Sequence, residues 1–220
     1  MVSHDLRNPL FLIKGAAELM RDHVEHAGGQ ERQDLISNLE RIERAVGQAD
    51  RVVDDLVDLL RLQAGREVVL EKAPADLVAL ARRTVELHGY NTDVHRILLR
   101  TELPALFGEW DERRLERALA NLLTNAIKYT PAGRGDIVVE VCVAERCAVL
   151  SVADQGLGIP PGDLPRIFEP FYRGQAVDGV IPGAGIGLTS VLHTVEQHGG
   201  TIEVHSRVGS GTTFVVHLPL

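Results

Sequence analysis

Apolar residues in the first part of the chain recur at alternating steps of four and three positions. They are Leu6, Leu10, Ile13, Ala17, Met20 and Val24 in one segment and Leu35, Leu39, Ile42, Val46, Ala49, Val53, Leu56 and Leu60 in the next. This spacing places apolar side chains along one stripe of an α-helix, as in the seam of a coiled coil. The small residues at 27–29 interrupt the pattern, so residues 1–64 are predicted to form a helical hairpin.

A hairpin with one narrow seam on each helix buries little apolar surface of its own. Two copies that pair into a four-helix bundle would bury both seams, and we therefore expect a homodimer. A hairpin that packs onto the C-terminal part of its own chain is the alternative.

The pattern changes near residue 65, after which β-rich runs alternate with helical stretches. The β-rich runs lie at 68–71, 97–103, 137–143, 149–152, 201–205 and 213–217, and the helical stretches lie at 77–87, 112–128 and 186–198. Most glycines and prolines of the chain fall between these runs. Residues 65–220 are therefore predicted to form a two-layer α/β sandwich, with helices on one face of a mixed sheet.

The composition excludes several classes of protein. The 220 residues carry a formal net charge of −8 and only 4% aromatic residues, which argues against nucleic-acid binding. No apolar run approaches the roughly 20 residues that cross a bilayer, so no membrane contact is expected from this segment. Two cysteines, Cys142 and Cys147, are too few for a disulfide framework and favour a cytoplasmic location.

Polar side chains recur on one face of the predicted helix at 112–128. Asn121, Asn125 and Lys128 are spaced i, i+4 and i+7, which puts them on the same side of the helix. An amide oxygen suits Mg²⁺, and an ammonium suits a phosphate. A solvent-facing polar surface is the alternative, but the apolar neighbours Leu122 and Ile127 favour a cleft.

Glycine-containing segments follow the predicted strands and helices. Asp154, at the end of a buried run, precedes Gly156 and Gly158, and its carboxylate could accept a hydrogen bond from an exocyclic amine such as that of adenine. The segment at 183–188 runs into a helix whose first amides could bind phosphate. The turn at 209–213 could border the base. Each segment alone is also typical of an ordinary turn.

Residues 160–182 are predicted to form a lid that is mobile in its second half. The sequence FEPFYR at 168–173 lies within it. Arg173 would meet a γ-phosphate when the lid closes.

Together these segments resemble the motifs of sensor histidine kinases, in that family's order and over nearly the whole chain. Residues 3–10 resemble the phosphoacceptor box, 121–129 the asparagine box, 154–159 the first glycine box, 168–173 the phenylalanine box and 183–188 the second glycine box, while 199–200 with 209–214 resemble the final segment. The resemblance implies a dimeric hairpin that carries the reactive histidine. It also implies an ATP-binding domain of the type shared with gyrase, Hsp90 and MutL.

The same resemblance implies roles for individual residues. Asn121 would hold Mg²⁺, and Asn125 and Lys128 would contact the phosphates of ATP. Tyr129 would stack on adenine, and Asp154 would bind its amine. The other nucleotide contacts would come from Gly156, Gly158, Ile159, Arg173, Gly183, Gly185, Ile186, Gly187, Leu188 and Thr213.

The heptad count puts His4 at a solvent-facing position, with Asp5 and Asn8 also off the seam. In the predicted reaction His4 attacks the γ-phosphorus of ATP while Asp5 orients the ring and takes up its proton. The phosphohistidine would then donate to an aspartate of a response-regulator receiver domain. Asn8 could position a water for the reverse, dephosphorylating activity.

One position separates this chain from hydrolytic relatives, which have a water-activating glutamate four residues before the metal asparagine. Here that position is Arg117, which favours transfer to a protein nucleophile over transfer to water. Two other functions remain open from the sequence. One is a pseudokinase scaffold that binds ATP and dimerises, and the other is an ATPase whose turnover drives clamp closure.

Overall fold

The computed structural model describes residues 69–90, 94–174 and 184–220. Within the first 68 residues it describes Ile13, Gly15, Leu35, Asn38, Ile42, Gly47 and Ala49, all of them helical. Those that belong to the predicted seams are partly buried. The rest of the predicted hairpin lies outside the described residues, so its pairing into a bundle stays a prediction.

The chain divides into two compact units, Met1–Arg66 with Pro182–Ala184 and Glu67–Ile181 with Gly185–Leu220. The elements of the second unit are β1 (Ala73–Asp76), α1 (Leu77–Tyr90), β2 (Ile97–Arg100), β3 (Phe107–Trp110), α2 (Glu112–Tyr129), β4 (Ile137–Ala144), β5 (Cys147–Ala153), a 3₁₀ turn (Leu164–Arg166), α3 (Gly187–Gln197), β6 (Thr201–Arg207) and β7 (Gly211–Pro219).

Five strands form a mixed sheet in the order β2–β4–β5–β7–β6. The β2–β4 pair is parallel and the other three pairs are antiparallel. Alternate strand residues such as Val139 and Leu150 are buried in one core with Leu119 and Leu122 of α2 and Val191 of α3. This arrangement, with helices packed on one face of a mixed sheet, confirms the predicted fold class.

Strands β1 and β3 form a separate antiparallel pair that the sequence pattern did not predict. The predicted strand at 68–71 is wrong, because residues 69–72 have no regular structure and the strand begins at Ala73. Pro74 within β1 cannot donate to a ladder, and the strand exists because β3 pairs with it. In β3, a Cβ on Gly108 would collide with the Trp110 ring, so glycine is required there.

No helix in the described ranges combines the length and apolar character needed to cross a bilayer. Cys142 and Cys147 are both free thiols.

Candidate nucleotide-binding site

Helix α2 has one buried face and one partly exposed face. The buried face consists of Leu115, Ala118, Leu119, Leu122, Leu123 and Ala126. Asn121, Asn125 and Lys128 lie on the partly exposed side. The helix begins after Asp111, whose carboxylate accepts a hydrogen bond from the Arg114 amide at 3.2 Å. This N-cap fixes the start of the helix and therefore the direction of its polar face.

The side chain of Asn121 contains a buried polar atom without a partner. Its Nδ2 makes no hydrogen bond to any described residue. A Cβ added to Gly187, the first residue of α3, would lie 3.6 Å from Asn121 Cγ. No side chain caps the N-terminus of α3, which follows Ile186. A buried amide without a partner costs about 1–3 kcal/mol, and beside uncapped helix amides it is suited to a phosphate-bearing ligand.

Asp154 follows the last residue of β5 and is held by two backbone amides. Its Oδ1 accepts hydrogen bonds from Gly156 N at 2.7 Å and Thr212 N at 3.2 Å. Burial raises the pKa of this carboxyl, and the two hydrogen bonds oppose that rise. Among the described residues only Oδ1 is engaged, so Oδ2 can accept a hydrogen bond from a ligand amine.

The loop after Asp154 packs between α2 and the turn that joins β6 to β7. Leu157 N donates to Tyr129 O at 3.1 Å, and Gly209 N donates to Leu157 O at 2.7 Å. A Cβ on Gly156 would lie 2.5 Å from Tyr129 O, and Gly158 has a φ of +68° with Arg207 O directly beside it. Only glycine fits at either position, because a side chain would push the loop out of this gap.

Ser206 on β6 fastens the same loop and was not identified from the sequence. Its Oγ accepts a hydrogen bond from Ile159 N at 2.8 Å, donates to Gly211 O at 3.1 Å and lies 2.9 Å from Thr212 Oγ1. Ser206 occupies the same strand face as the core-packed residues Ile202 and Val204. A polar residue in that register is the signal that could have identified it.

The sequence motif predicts a nucleotide contact at Thr213, but the structure brings the amide of Thr212 to Asp154. The backbone carbonyl of Thr212 also accepts from Asp154 N at 2.8 Å. Strand residues alternate between faces, so Thr213 points to the opposite side of the sheet from the buried Thr212.

The segment at 168–173 is attached to the start of α3. Phe171 N donates to Gly185 O at 2.9 Å, and Thr189 Oγ1 donates to Phe168 O at 2.9 Å. Gly185 has a φ of +72°, and a Cβ there would lie 2.8 Å from Tyr172 O. These contacts place the segment next to the helix terminus that faces Asn121.

Tyr129, at the end of α2, is influenced by two cationic side chains. The Lys128 ammonium is 5.4 Å from the centre of its ring. Burial raises the pKa of the Tyr129 hydroxyl, and the positive charge of Arg173 partly offsets that rise.

Four of the predicted site residues, His4, Asp5, Asn8 and Gly183, lie outside the described residues. Ile159, Ile186 and Leu188 are described: Ile186 is buried, and Ile159 and Leu188 are partly buried against the core. A depression of about 400 Å³ lined by Lys72, Pro74, Phe107, Gly108, Glu109, His198, Pro219 and Leu220 shares no residue with this site.

Comparison with protein families agrees with this geometry. The family described as histidine kinase-, DNA gyrase B- and HSP90-like ATPase matches residues 110–220, just over half of the chain. The chain belongs to this ATPase family. Membership of this family implies an ATP-binding domain at these residues. A second family, the His Kinase A (phospho-acceptor) domain, matches residues 1–65 of the chain.

Two relatives of the chain are named as a sensor protein and a sensor-like histidine kinase. The phosphate regulon sensor protein PhoR of Pseudomonas aeruginosa is 34% identical over 219 residues, covering 98% of this chain and 48% of PhoR. The sensor-like histidine kinase SenX3 of Mycobacterium tuberculosis is 33% identical over 222 residues, covering 99% of this chain and 52% of SenX3. The chain thus spans about half the length of these relatives.

A solved structure of full-length ShkA in complex with AMPPNP is also similar to the chain. The TM-score is 0.64 at 27% identity, over 96% of this chain and 46% of that one. Sequence and structure therefore agree that this ATPase-family chain is homologous to sensor histidine kinases.

Proposed function

We propose that the chain is the catalytic core of a two-component protein-histidine kinase, with a phosphoacceptor hairpin at 1–64 and an ATP-binding domain at 65–220. The observation that carries this proposal is that one chain matches both a phospho-acceptor domain and a histidine kinase-like ATPase domain. The sensor protein PhoR and the sensor-like histidine kinase SenX3 match nearly its whole length, which supports a kinase activity of the same class.

In the proposed reaction, a ring nitrogen of neutral His4 attacks the γ-phosphorus of ATP. A nitrogen–phosphorus bond forms, the bond from the γ-phosphorus to the β,γ-bridging oxygen breaks, and ADP leaves. Asp5 orients the ring and takes up its proton. The phosphohistidine then passes its phosphoryl group to an aspartate of a response-regulator receiver domain. Asn8 positions a water for the opposing activity, which removes the phosphoryl group from that aspartate.

In this proposal, side chains and backbone amides of the described residues hold the nucleotide. Asp154 accepts a hydrogen bond from the adenine amine, and Tyr129 stacks on the base. Asn125, Lys128, Arg173 and the amides at the start of α3 bind phosphate oxygens and stabilise charge on the transferring group. The similar ShkA structure was solved in complex with AMPPNP, which supports a nucleotide of this class.

The residues present fit a magnesium ion beside ATP. In the described ranges no three His, Cys, Asp or Glu side chains are grouped to hold a metal, so the protein's ligand would be Asn121, with phosphate oxygens and water completing the shell. The metal ligand would be the amide oxygen Oδ1, because the buried Nδ2 that no described residue satisfies is a hydrogen-bond donor and suits a phosphate oxygen instead. When bound, Mg²⁺ would neutralise negative charge on the phosphates.

Two partners follow from this proposal. A second copy of the chain would bury the helical seams, and a response-regulator receiver domain would accept the phosphoryl group. Autophosphorylation and transfer to the receiver domain would both take place in the cytoplasm. Arg117, one turn before Asn121 on α2, argues against efficient ATP hydrolysis because it cannot act as a general base for water.

The proposal is tested with ATP labelled on its γ-phosphate. The wild-type chain should retain label that is lost in acid and kept in base, as expected of a phosphoramidate. His4→Gln should take up no label and bind ADP with unchanged affinity. Label in His4→Gln would exclude His4 as the acceptor. Steady-state ATP hydrolysis far faster than labelling would indicate a clamp ATPase, and ATP binding without any labelling would indicate a scaffold.

A further inference from the structure

Asp163 lies against both residues that flank Arg173. The Tyr172 hydroxyl donates a hydrogen bond to Asp163 Oδ1 at 2.8 Å. On the other side, a Cβ added to Gly174 would lie 2.6 Å from Asp163 Oδ2, so the backbone of residue 174 packs directly against that oxygen. One carboxylate therefore binds the side chain immediately before Arg173 and packs against the backbone immediately after it.

The Tyr172 ring makes a second contact, with Arg166, besides the one made by its hydroxyl. The Arg166 guanidinium lies over the ring, 4.2 Å from its centre, and its Nε donates to Glu169 Oε2 at 3.1 Å. Arg166 belongs to the 3₁₀ turn that begins directly after Asp163. The hydrogen bond to Asp163 is also the main reason that the pKa of Tyr172 is raised.

The chain reverses direction just before this contact. Phe171 has a φ of +63°, a conformation that costs a bulky residue on the order of 1–3 kcal/mol and persists only where neighbouring contacts impose it. Its amide is bound to Gly185 O, and the next side chain returns to Asp163. Arg173 thus leaves from a backbone that is anchored both to α3 and to Asp163, and its charge acts on Tyr129.

We propose that Asp163, acting through Tyr172, is a positioning residue that holds Arg173 toward the γ-phosphate of bound ATP. The inference rests on the proposed function, in which Arg173 contacts that phosphate. Anchoring the backbone on both sides of Arg173 reduces the conformational freedom that its side chain loses on binding. Discrimination between ATP and ADP should therefore depend on Asp163, which acts through Tyr172 and Arg173 rather than by binding the nucleotide itself.

The test is the ratio of the dissociation constants of ADP and AMPPNP, measured with Mg²⁺ on the full chain. Arg173→Ala gives the reference loss of preference for the γ-phosphate. Asp163→Ala and Tyr172→Phe should each lower the ratio about tenfold, equivalent to about 1.4 kcal/mol. Asp163→Asn should keep most of it, since the amide oxygen can still accept from Tyr172. Asp163→Ala added to Arg173→Ala should have no further effect.

Asp136→Ala is the matched control, because Asp136 also accepts hydrogen bonds from a neighbouring side chain, Arg96, away from this segment. It should leave the ratio unchanged. If Asp163→Ala does not fold, Tyr172→Phe, which removes a single hydroxyl, carries the test.

Equal weakening of ADP and AMPPNP binding would show a merely structural role and overturn the inference. So would an unchanged ratio in both variants while Arg173→Ala lowers it, and that result would leave the proposed function intact. If Arg173→Ala itself keeps the ratio, both the role of Arg173 and this inference fail.

Discussion

A single hydroxyl, that of Ser206, connects the loop after Asp154 to the edge of the sheet. It accepts a hydrogen bond from the partly buried amide of Ile159 and donates to Gly211 O, while Thr212 N binds Asp154. Removing the hydroxyl leaves the Ile159 amide without a partner, at a cost of about 1–3 kcal/mol. Ser206→Ala should therefore weaken ADP binding about tenfold, as measured by calorimetry.

Ser210→Ala is the control for this prediction. Ser210 is exposed in the turn between β6 and β7, where its backbone amide donates to Arg207 O. This variant should bind ADP like the wild type. Equal affinities for all three proteins would show that the loop keeps its shape without Ser206.

At the level of elements, a buried histidine joins the end of α3 to the start of α2. Asp111 N donates to His198 Nε2 at 2.9 Å, so Nδ1 carries the proton and donates to Thr194 O at 2.7 Å. Burial lowers the pKa of His198, with Lys72 and Arg114 adding to the effect and Thr194 O and Asp111 opposing it. The folded state therefore favours the neutral ring, and protonation removes the acceptor for Asp111 N.

The sign of the pH dependence follows from that lowered pKa. The unfolded chain takes up the proton near pH 6.5 and the folded chain at a lower pH. The contribution of His198 to stability is complete above about pH 6.5 and decreases as the pH falls toward the folded pKa. The free energy of unfolding can be measured in urea through the fluorescence of Trp110, the only tryptophan in the chain. Between pH 7.5 and 5.5 this free energy should fall more in the wild type than in His198→Gln. The exposed His205→Gln should behave like the wild type, and parallel losses in all three would contradict the prediction.

The elements also show which parts of the structure could be predicted from the sequence. Helix α2 was expected at 112–128 and lies at Glu112–Tyr129, because its apolar spacing is a local property of the chain. The common face of Asn121, Asn125 and Lys128 follows from the same local period. The β1–β3 pair and the bond from Ile159 to Ser206 depend on strand register between distant segments, which no local pattern encodes. The Tyr172–Asp163 contact depends on the left-handed turn at Phe171, which is unusual for an aromatic residue.

At the level of the whole molecule, the proposed dimer and the nucleotide site depend on different residues. The apolar seams lie within residues 1–64, whereas every described residue of the nucleotide site lies after residue 110. The two properties should therefore be separable by mutation.

Leu39→Asp tests this separation. Leu39 lies on the second seam, where an unpaired carboxylate facing apolar side chains costs several kcal/mol. The variant should be monomeric by light scattering at concentrations where the wild type is dimeric. Its affinity for ADP should stay within about twofold of the wild type, because the nucleotide site involves other residues. A twofold change corresponds to less than about 0.5 kcal/mol of binding free energy. Ser37→Asp places the same charge off the seam and should remain dimeric. A dimeric Leu39→Asp would show that the seam faces something other than a second copy, and the alternative of a hairpin packed on its own chain would then replace the bundle.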